Sequence, residues 1–519
     1  MLKSIHALAC LAALTLAAPG LRAETPPPFV AHDERPAIAV TSILMGPDGN
    51  WLYGVSLLGE ILRWPVDPVT GALSEPQTLA LPYFKDAAGP RGLIGMAFDP
   101  ANPNVLWVTD NYPVPLSGKK PDIPDLSGRV SRVTIDPGPA FTGAAEAYAT
   151  GFPRSCADHL TNSLAFRRNP DADGPEYLLY LTQGSTSSMG EADVNWCMRP
   201  ERLLAAAVLE IDTTLTPPQG GFDVATEPLP GDGQNRRYGY TRVLRSYIWP
   251  SDDGDLKNDG IAIGDGPYDG RYLHFDAQGV ASVRESAAQD SAVVRRFYDP
   301  FAEGAPVRLF ATGVRNGYDL VWHSNGALYV AANGGSGNAN TPDDPGTRVD
   351  ESLSGVARQP DLLYRLERGD YGGHANSLRD AFIAFGGNPT AGDDPFEIAE
   401  YPVGTAPDPR FRPERVYTLG NHYAPTGTIE YPGGALIIAQ YSRDGTLRVI
   451  ELGEDKAVAG DTVLTSPDGA PIAYVNPIDL ALGADGRIYL ATLPRSNGRG
   501  RIIRLEPVTP SPNKHAATP

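Results

Sequence analysis

One phrase recurs six times along this chain. It has an apolar strand, a tight turn rich in Asp, Asn or Gly, a second strand carrying aromatics, and often a third that ends in an apolar–basic pattern. The first copy runs 42–45, turns at Gly46-Pro47-Asp48-Gly49, continues over 51–55 and closes at 60–64. The second runs 92–98 and 105–108; the third runs 163–166 and 177–181 and closes at 208–211. The fourth is 317–322, 328–330 and 362–366, and the fifth is 427–431, 436–438 and 447–450. The sixth is 477–482, 488–490 and 502–505. Asp-Gly and Asn-Gly between alternating apolar runs are the strongest short-range hairpin signal. Six such units, with little between them that resembles an amphipathic helix, predict an all-β chain: a six-bladed β-propeller with long inter-blade loop insertions.

Composition agrees with short strands joined by many turns. The 519 residues include 56 Gly and 50 Pro beside an ordinary 41% of hydrophobic residues. Length alone would suggest several domains at about 150 residues each, but propellers are exceptions to that prior. The formal net charge of −19 argues against nucleic acid or an anionic membrane as partner, since both require a basic footprint.

The start of the chain resembles a secretory signal, with Lys3, an apolar run over 7–18, and Leu21-Arg22-Ala23 ahead of Glu24. That run is too short to span a bilayer. The expected organisation is a signal over 1–23, one propeller over 24–506 and a disordered tail over 507–519, in a periplasmic or secreted protein. Cys10 leaves with the signal, so Cys156 and Cys197 remain. In an oxidising compartment they are expected to form a disulfide, the alternative being two buried thiols. Two insertions interrupt the repeat: 214–305 between blades three and four, with a short helix near 287–297, and 367–420. Insertions in repeat folds collect on one face, often the binding face.

In a propeller the inner strand of each blade lines the channel, so residues entering those strands converge. They are Ser42, Arg91, His159, Arg315, His422 and Asn476, in a chain with only eight histidines. A carboxylate beside an imidazole, as in Asp158-His159, supports proton abstraction. Arg315-Asn316-Gly317 offers a fixed cation and an amide, and could equally be an arginine that ties two blades together. Asn333-Gly334-Gly335 followed by Asp343 and Asp344 has the oxygen-rich character of a Ca²⁺ loop. The acidic turn at Asp252-Asp253-Gly254-Asp255 has it too, without the full spacing of an EF-hand. No G-x-S-x-G, H-E-x-x-H, P-loop or post-strand G-x-G-x-x-G is present, which removes the common hydrolase, zinc-protease, kinase and nicotinamide readings.

At these residues the chain resembles the soluble quinoprotein glucose/sorbosone dehydrogenase family. The resemblance is carried by Gly92-Leu93-Ile94-Gly95-Met96-Ala97-Phe98, by Asp158-His159 ahead of Leu164-Ala165-Phe166, and by Gly313-Val314-Arg315-Asn316. It continues in Asn333-Gly334-Gly335, Pro360-Asp361 and Pro477-Ile478-Asp479-Leu480-Ala481. It implies a six-bladed propeller that holds pyrroloquinoline quinone and Ca²⁺ at the channel mouth. His159 would be the base, oriented by Asp158, and Arg315 would neutralise charge developing on the cofactor. The Gly334-Gly335 loop would give carbonyls to the metal.

The chain departs from that pattern around Pro90-Arg91, at Ser185-Thr186, at Asn476 and Ile478, and at Ser442-Arg443. Arg91, His422, Arg443 and Asn476, with Arg315 and Asn316, are therefore the expected cofactor contacts. The leading expectation is oxidation of a sugar, polyol or alcohol by hydride transfer to the quinone, with an electron acceptor as partner. The alternatives are a Ca²⁺-dependent lactonase-type hydrolase and a non-catalytic propeller that binds carbohydrate or protein.

Overall fold

The computed structural model describes residues 23–508 apart from 121, 137, 172, 227–260, 263–267, 276–280, 289, 343–351, 393 and 484. Most of the expected signal, the acidic turn at Asp252 and nearly all of the tail therefore lie outside the described residues.

Six antiparallel sheets follow one another along the chain. Blade one is Val40–Met45, Trp51–Ser56, Glu60–Pro65 and Gln77–Ala80. Blade two is Gly92–Asp99, Asn102–Asn111, Gly128–Ile135 and Gly143–Phe152, with Phe222–Asp223 added in parallel at its edge. Blade three is Thr161–Arg168, Tyr177–Gln183, Ala207–Ile211 and Val307–Thr312. Blade four is Gly317–Trp322, Leu328–Ala332, Asp361–Leu366 and Val416–Gly420. Blade five is Pro425–Glu430, Leu436–Gln440, Leu447–Leu452 and Val458–Val463. Blade six takes Pro477–Leu482, Ile488–Thr492 and Arg499–Pro507 from the end of the chain and its outer strand, Phe29–Ile38, from the beginning. Each inner strand packs on the next, and that of blade six packs on that of blade one. The ring closes, and the fold is a six-bladed β-propeller.

Radial repetition leaves each blade only short, protected sheet edges, and the staple that closes the ring is long. Phe29 pairs with Pro507 and Ile38 with Arg499, so the two ends of the described chain are hydrogen-bonded along one ladder. The second strands are buried on both faces, which is why they read as continuous apolar runs. Leu436, Ile437 and Ile438 are all at 0% exposure, each side chain contributing about 1.5–3 kcal/mol relative to exposure.

Two expectations change here. The insertions lie within blades: the chain leaves the third strand of blade three at Ile211 and returns as its outer strand at Val307. Likewise the second insertion leaves blade four at Leu366 and returns as its outer strand, Val416–Gly420. The helix expected near 287–297 is a strand, Val293–Arg296, paired with Ala281–Arg284. Two adjacent valines, stiff at χ1, favour the pleated conformation.

One irregularity repeats around the ring. In every blade the inner strand slips register against the second strand near its start: Val40/Ser42, Leu93/Met96, Thr161/Leu164, Gly317/Asp319, Pro425/Thr428 and Pro477/Asp479. Such a bulge re-aims a side chain. Thr41, Ile94, Tyr318, Thr426 and Ile478, all in these bulges, line one central cavity. Below it Asp319 accepts from the Thr428 amide (2.8 Å) and Asp479 from the Ile43 amide (2.8 Å). These bonds tie blade four to five and blade six to one. Burial raises both carboxyls above the usual range, and Asp319 raises Asp479 further.

Candidate active site at the channel mouth

The central cavity has a volume of about 110 Å³. Its walls are largely apolar (Leu57, Val114, Leu116, Leu160 and Leu493 among them), with Asp158, Asn316, Asn333 and Arg495 as the polar exceptions besides the bulge residues. The bulge hydroxyls are already engaged. Thr41 donates to the Leu93 carbonyl (2.6 Å), Thr426 to the Pro477 carbonyl (3.1 Å) and Tyr318 to the Thr41 carbonyl (2.6 Å).

Beside this cavity lies a buried polar cluster. His159 sits just before the inner strand of blade three, 3% exposed. Its Nδ1 is 2.8 Å from Ser185 Oγ, and that hydroxyl donates to the Ser187 carbonyl at 2.7 Å. Burial, then Arg315, hold the imidazole well below its ordinary pKa, so the ring is neutral at physiological pH. The Trp196 ring lies over it, with centroids 4.5 Å apart. Arg315, just before the inner strand of blade four, donates from Nε to the Ser188 carbonyl (2.7 Å) and stacks on Trp196 (5.3 Å). Burial brings its pKa down to about 10, which leaves the guanidinium charged at neutral pH.

A second pair lies behind. Glu201 accepts from His374 Nε2 (3.0 Å), from the Ser187 amide (2.8 Å) and from the Ser187 hydroxyl (2.5 Å). Burial opposes the charge on Glu201, but His374 and Ser187 outweigh it and hold the carboxyl below its usual range. Burial likewise lowers His374 against the pull of Glu201. Cys156 and Cys197 are bonded, which joins the segment before His159 to the residue after Trp196.

Of the residues singled out from sequence, His159, Arg315, Asn316 and Asn333 come together here. Asn316 Oδ1 accepts from Asn162 (3.0 Å), and the Asn333 amide donates to the Asn316 carbonyl (3.1 Å). Asp158 is exposed and lines the cavity. The imidazole nitrogen expected to meet Asp158 meets Ser185 instead. Gly334 donates its amide to Asp361 (2.9 Å), and a Cβ there would lie 2.2 Å from the Pro360 carbonyl oxygen. Gly335 accepts from the Gln359 amide (3.0 Å), and a Cβ on it would meet the Met189 sulfur at 2.2 Å. Position 334 therefore requires glycine, whereas a side chain at Gly335 would first have to displace Met189. His422 is half-buried with φ 56°, lowered by burial and facing Asp361. Asp343 and Asp344 lie outside the described residues.

Three expected cofactor contacts are elsewhere. Arg91 pairs with Asp110 and Asp86 and lines a separate crevice of blade two with Arg129. The buried Asp110 carboxylate, at 0% exposure and also paired to Arg129, draws it there. Arg443 is exposed, donates to the Asn421 carbonyl (3.0 Å) and stacks on Tyr423 (4.7 Å). Asn476 donates to the Tyr441 carbonyl (2.9 Å) with φ 52°, as a loop clamp. Ser42 is buried and hydrogen-bonded to Asp479. Sequence reasoning missed Trp196, Glu201, His374 and Arg495. Only the Trp196-Cys197 adjacency hinted at any of them.

The architecture and the cluster define a class: a six-bladed β-propeller with a neutral buried imidazole and a fixed guanidinium beside its channel mouth. Among solved structures, similar ones include the PQQ domain of pyranose dehydrogenase from Coprinopsis cinerea, in its holo form. It is 13% identical with a TM-score of 0.49, over 94% of this chain and 99% of that one. A glucose dehydrogenase is 15% identical with a TM-score of 0.46, over 93% and 100%. The calcium structure of a Trichoderma reesei enzyme of carbohydrate-active family AA12 is 14% identical with a TM-score of 0.49, over 94% and 99%. No family model and no curated protein matches the chain.

The implied groups can be tested against these residues. Asn333 Oδ1 is buried without a hydrogen-bond partner among the described residues. It is an amide oxygen of the kind Ca²⁺ takes, in the same cavity as Asp158 and Asn316. Among the described residues no three His, Cys, Asp or Glu side chains cluster as metal ligands, so a cation here would rest on amide and backbone oxygens. The open Asn333 oxygen suits Ca²⁺, whose remaining oxygens would have to come from backbone carbonyls and water. The quinone does not fit. Arg91, Arg443 and Asn476 are engaged elsewhere, and 110 Å³ is well under the roughly 300 Å³ at which cofactor pockets begin.

Proposed function

We propose that this chain is an exported oxidoreductase acting on a hydroxyl group of a sugar or related alcohol, with His159 as general base. The observation that carries this reading is the neutral His159 ring, buried beside the charged Arg315 and next to the cavity. Asn316, Asn333 and Asp158 are the groups available to orient a substrate hydroxyl. His159 would take the hydroxyl proton as the adjacent carbon passes its hydride to a two-electron acceptor, a quinone or dye of the kind supplied in the assay below, and becomes a carbonyl carbon. Arg315 steadies negative charge that arrives next to it, a task that a preplaced cation performs without reorganisation.

The sugar class is the one printed in the names of the structurally similar dehydrogenases. Export is supported by the leader-like start and by the Cys156–Cys197 bond. Pyrroloquinoline quinone is suggested by the sequence resemblance and by the name of one structurally similar domain, and no step is routed through it. The hydride acceptor is what the first experiment identifies: pyrroloquinoline quinone and Ca²⁺ are titrated into the protein while dye reduction is followed over a panel of sugars and alcohols. Substrate-dependent reduction that is lost in His159→Ala supports the reading. No reduction with any acceptor sinks it.

The unpartnered Asn333 oxygen, without a quinone grip around it, favours one second reading. A bound Ca²⁺ would polarise a lactone carbonyl while His159 activates water. Hydrolysis of a lactone panel that depends on Ca²⁺ and His159 would select it.

A further inference from the structure

We propose that Ser185 is the positioning residue of this site, fixing His159 in the tautomer that carries its proton on Nδ1 and leaves Nε2 bare. This rests on the reading of His159 as a base. A serine hydroxyl has one hydrogen, and that of Ser185 goes to the Ser187 carbonyl at 2.7 Å. A carbonyl oxygen can only accept. The 2.8 Å contact from Ser185 Oγ to His159 Nδ1 must therefore be donated by the ring. A neutral imidazole with hydrogen on Nδ1 has its lone pair on Nε2, the nitrogen a base uses.

The hydroxyl can impose this choice because its own segment cannot turn. The Ser185 amide donates to the Arg315 carbonyl (2.7 Å), and Arg315 Nε donates back to the Ser188 carbonyl (2.7 Å). Between these two ties, Thr186 donates its hydroxyl to the Pro200 carbonyl (2.5 Å), and Ser187 donates its amide and hydroxyl to Glu201. Glu201 is in turn held by His374 Nε2 at 3.0 Å. Base and cation are thus mounted on one four-residue segment, anchored from behind by a carboxylate–imidazole pair that does not touch the cavity. Asp158 cannot take the role, because Ser185 occupies Nδ1 and Asp158 lines the cavity.

The test is nitrogen NMR on the full-length protein with labelled histidines, the His159 signals being assigned by their loss in His159→Gln. The expected spectrum has Nδ1 protonated and Nε2 unprotonated at pH 7. Ser185→Ala should move His159 toward a mixture of tautomers, and Ser185→Thr should restore the wild-type pattern. In turnover, Ser185→Ala should lower kcat by about 10–100-fold, the range seen when a metal-bound imidazole loses its orienting partner, with KM little changed. A wild-type His159 protonated on Nε2 overturns the inference, even if Ser185→Ala does not fold. So does a Ser185→Ala protein with an unchanged tautomer. If the tautomer is as stated while His159→Ala remains fully active, the base reading fails and the positioning role of Ser185 stands.

Discussion

The Tyr318 hydroxyl of blade four donates to the Thr41 carbonyl of blade one at 2.6 Å, reaching straight across the channel. These two blades are opposite in the ring, so a single side chain bridges its full width. Burial pushes the phenol well above its ordinary pKa, so it remains a donor throughout the accessible pH range. Tyr318 also lines the central cavity, so the bridge crosses the channel beside it.

Tyr318→Phe keeps the ring and removes the donor, which leaves the buried Thr41 carbonyl unsatisfied. A loss of about 1–3 kcal/mol in unfolding free energy is expected, read from urea melts. A change within error would mean that the bridge contributes nothing to ring closure.

Acid stability should depend on His159. Its folded pKa lies below the ordinary 6.5 because of burial, so the unfolded chain binds the proton that the folded one refuses. That contribution to stability is fully present above pH 6.5 and declines as pH falls below it, by up to about 1.4 kcal/mol per pH unit. His374, lowered for the same reason, acts in the same direction, while the raised Asp319 and Asp479 act in the opposite one near their own titration. Comparison with His159→Gln isolates the term. Between pH 7 and 5 the wild type should lose more stability than the variant, and parallel curves would refute the neutral assignment.

Removal of the Cys156–Cys197 bond, which closes a separation of 41 residues, should cost about 2–4 kcal/mol. The double substitution Cys156→Ser with Cys197→Ser should also loosen Trp196 from His159. Acrylamide quenching of tryptophan fluorescence would then rise. A lower melting temperature with unchanged quenching would separate the staple from the cover.

Calcium should stabilise the folded chain through Asn333. At free Ca²⁺ about a hundredfold above its Kd, linkage predicts roughly 2.7 kcal/mol. The measurement is a melt with Ca²⁺ or with chelator, repeated on Asn333→Ala. The shift should be present in the wild type and absent in the variant; an equal shift in both would place the ion elsewhere.

The inner three strands of most blades were legible because Asp-Gly and Asn-Gly turns act locally. The outer strands of blades three and four were not, since Val307–Thr312 and Val416–Gly420 are parted from their sheets by long insertions. That of blade six, Phe29–Ile38, comes from the other end of the chain. In the site, His159, Arg315, Asn316 and Asn333 were found because they directly precede or follow strands of one repeat. Arg91 holds the same sequence position in its own repeat yet faces Asp110. Ser185, Trp196, Glu201 and His374 come from two loops with no shared pattern, so nothing along the chain marks them as neighbours.

The sequence by itself determined the number of blades, the hairpin turns and the class of fold, because hairpin chemistry and apolar alternation are properties of a few adjacent residues. Tertiary structure alone decided which side chains share the mouth. The slip between Val40 and Ser42, and its five counterparts, re-aim one or two residues each, and in five blades one of these lines the cavity. A slip is set by the partner strand and by ring closure, neither of which a local stretch of sequence contains. The same holds for the proton on His159. It rests on a hydroxyl 26 residues away, in a segment that Glu201, farther along the same loop, anchors through Ser187.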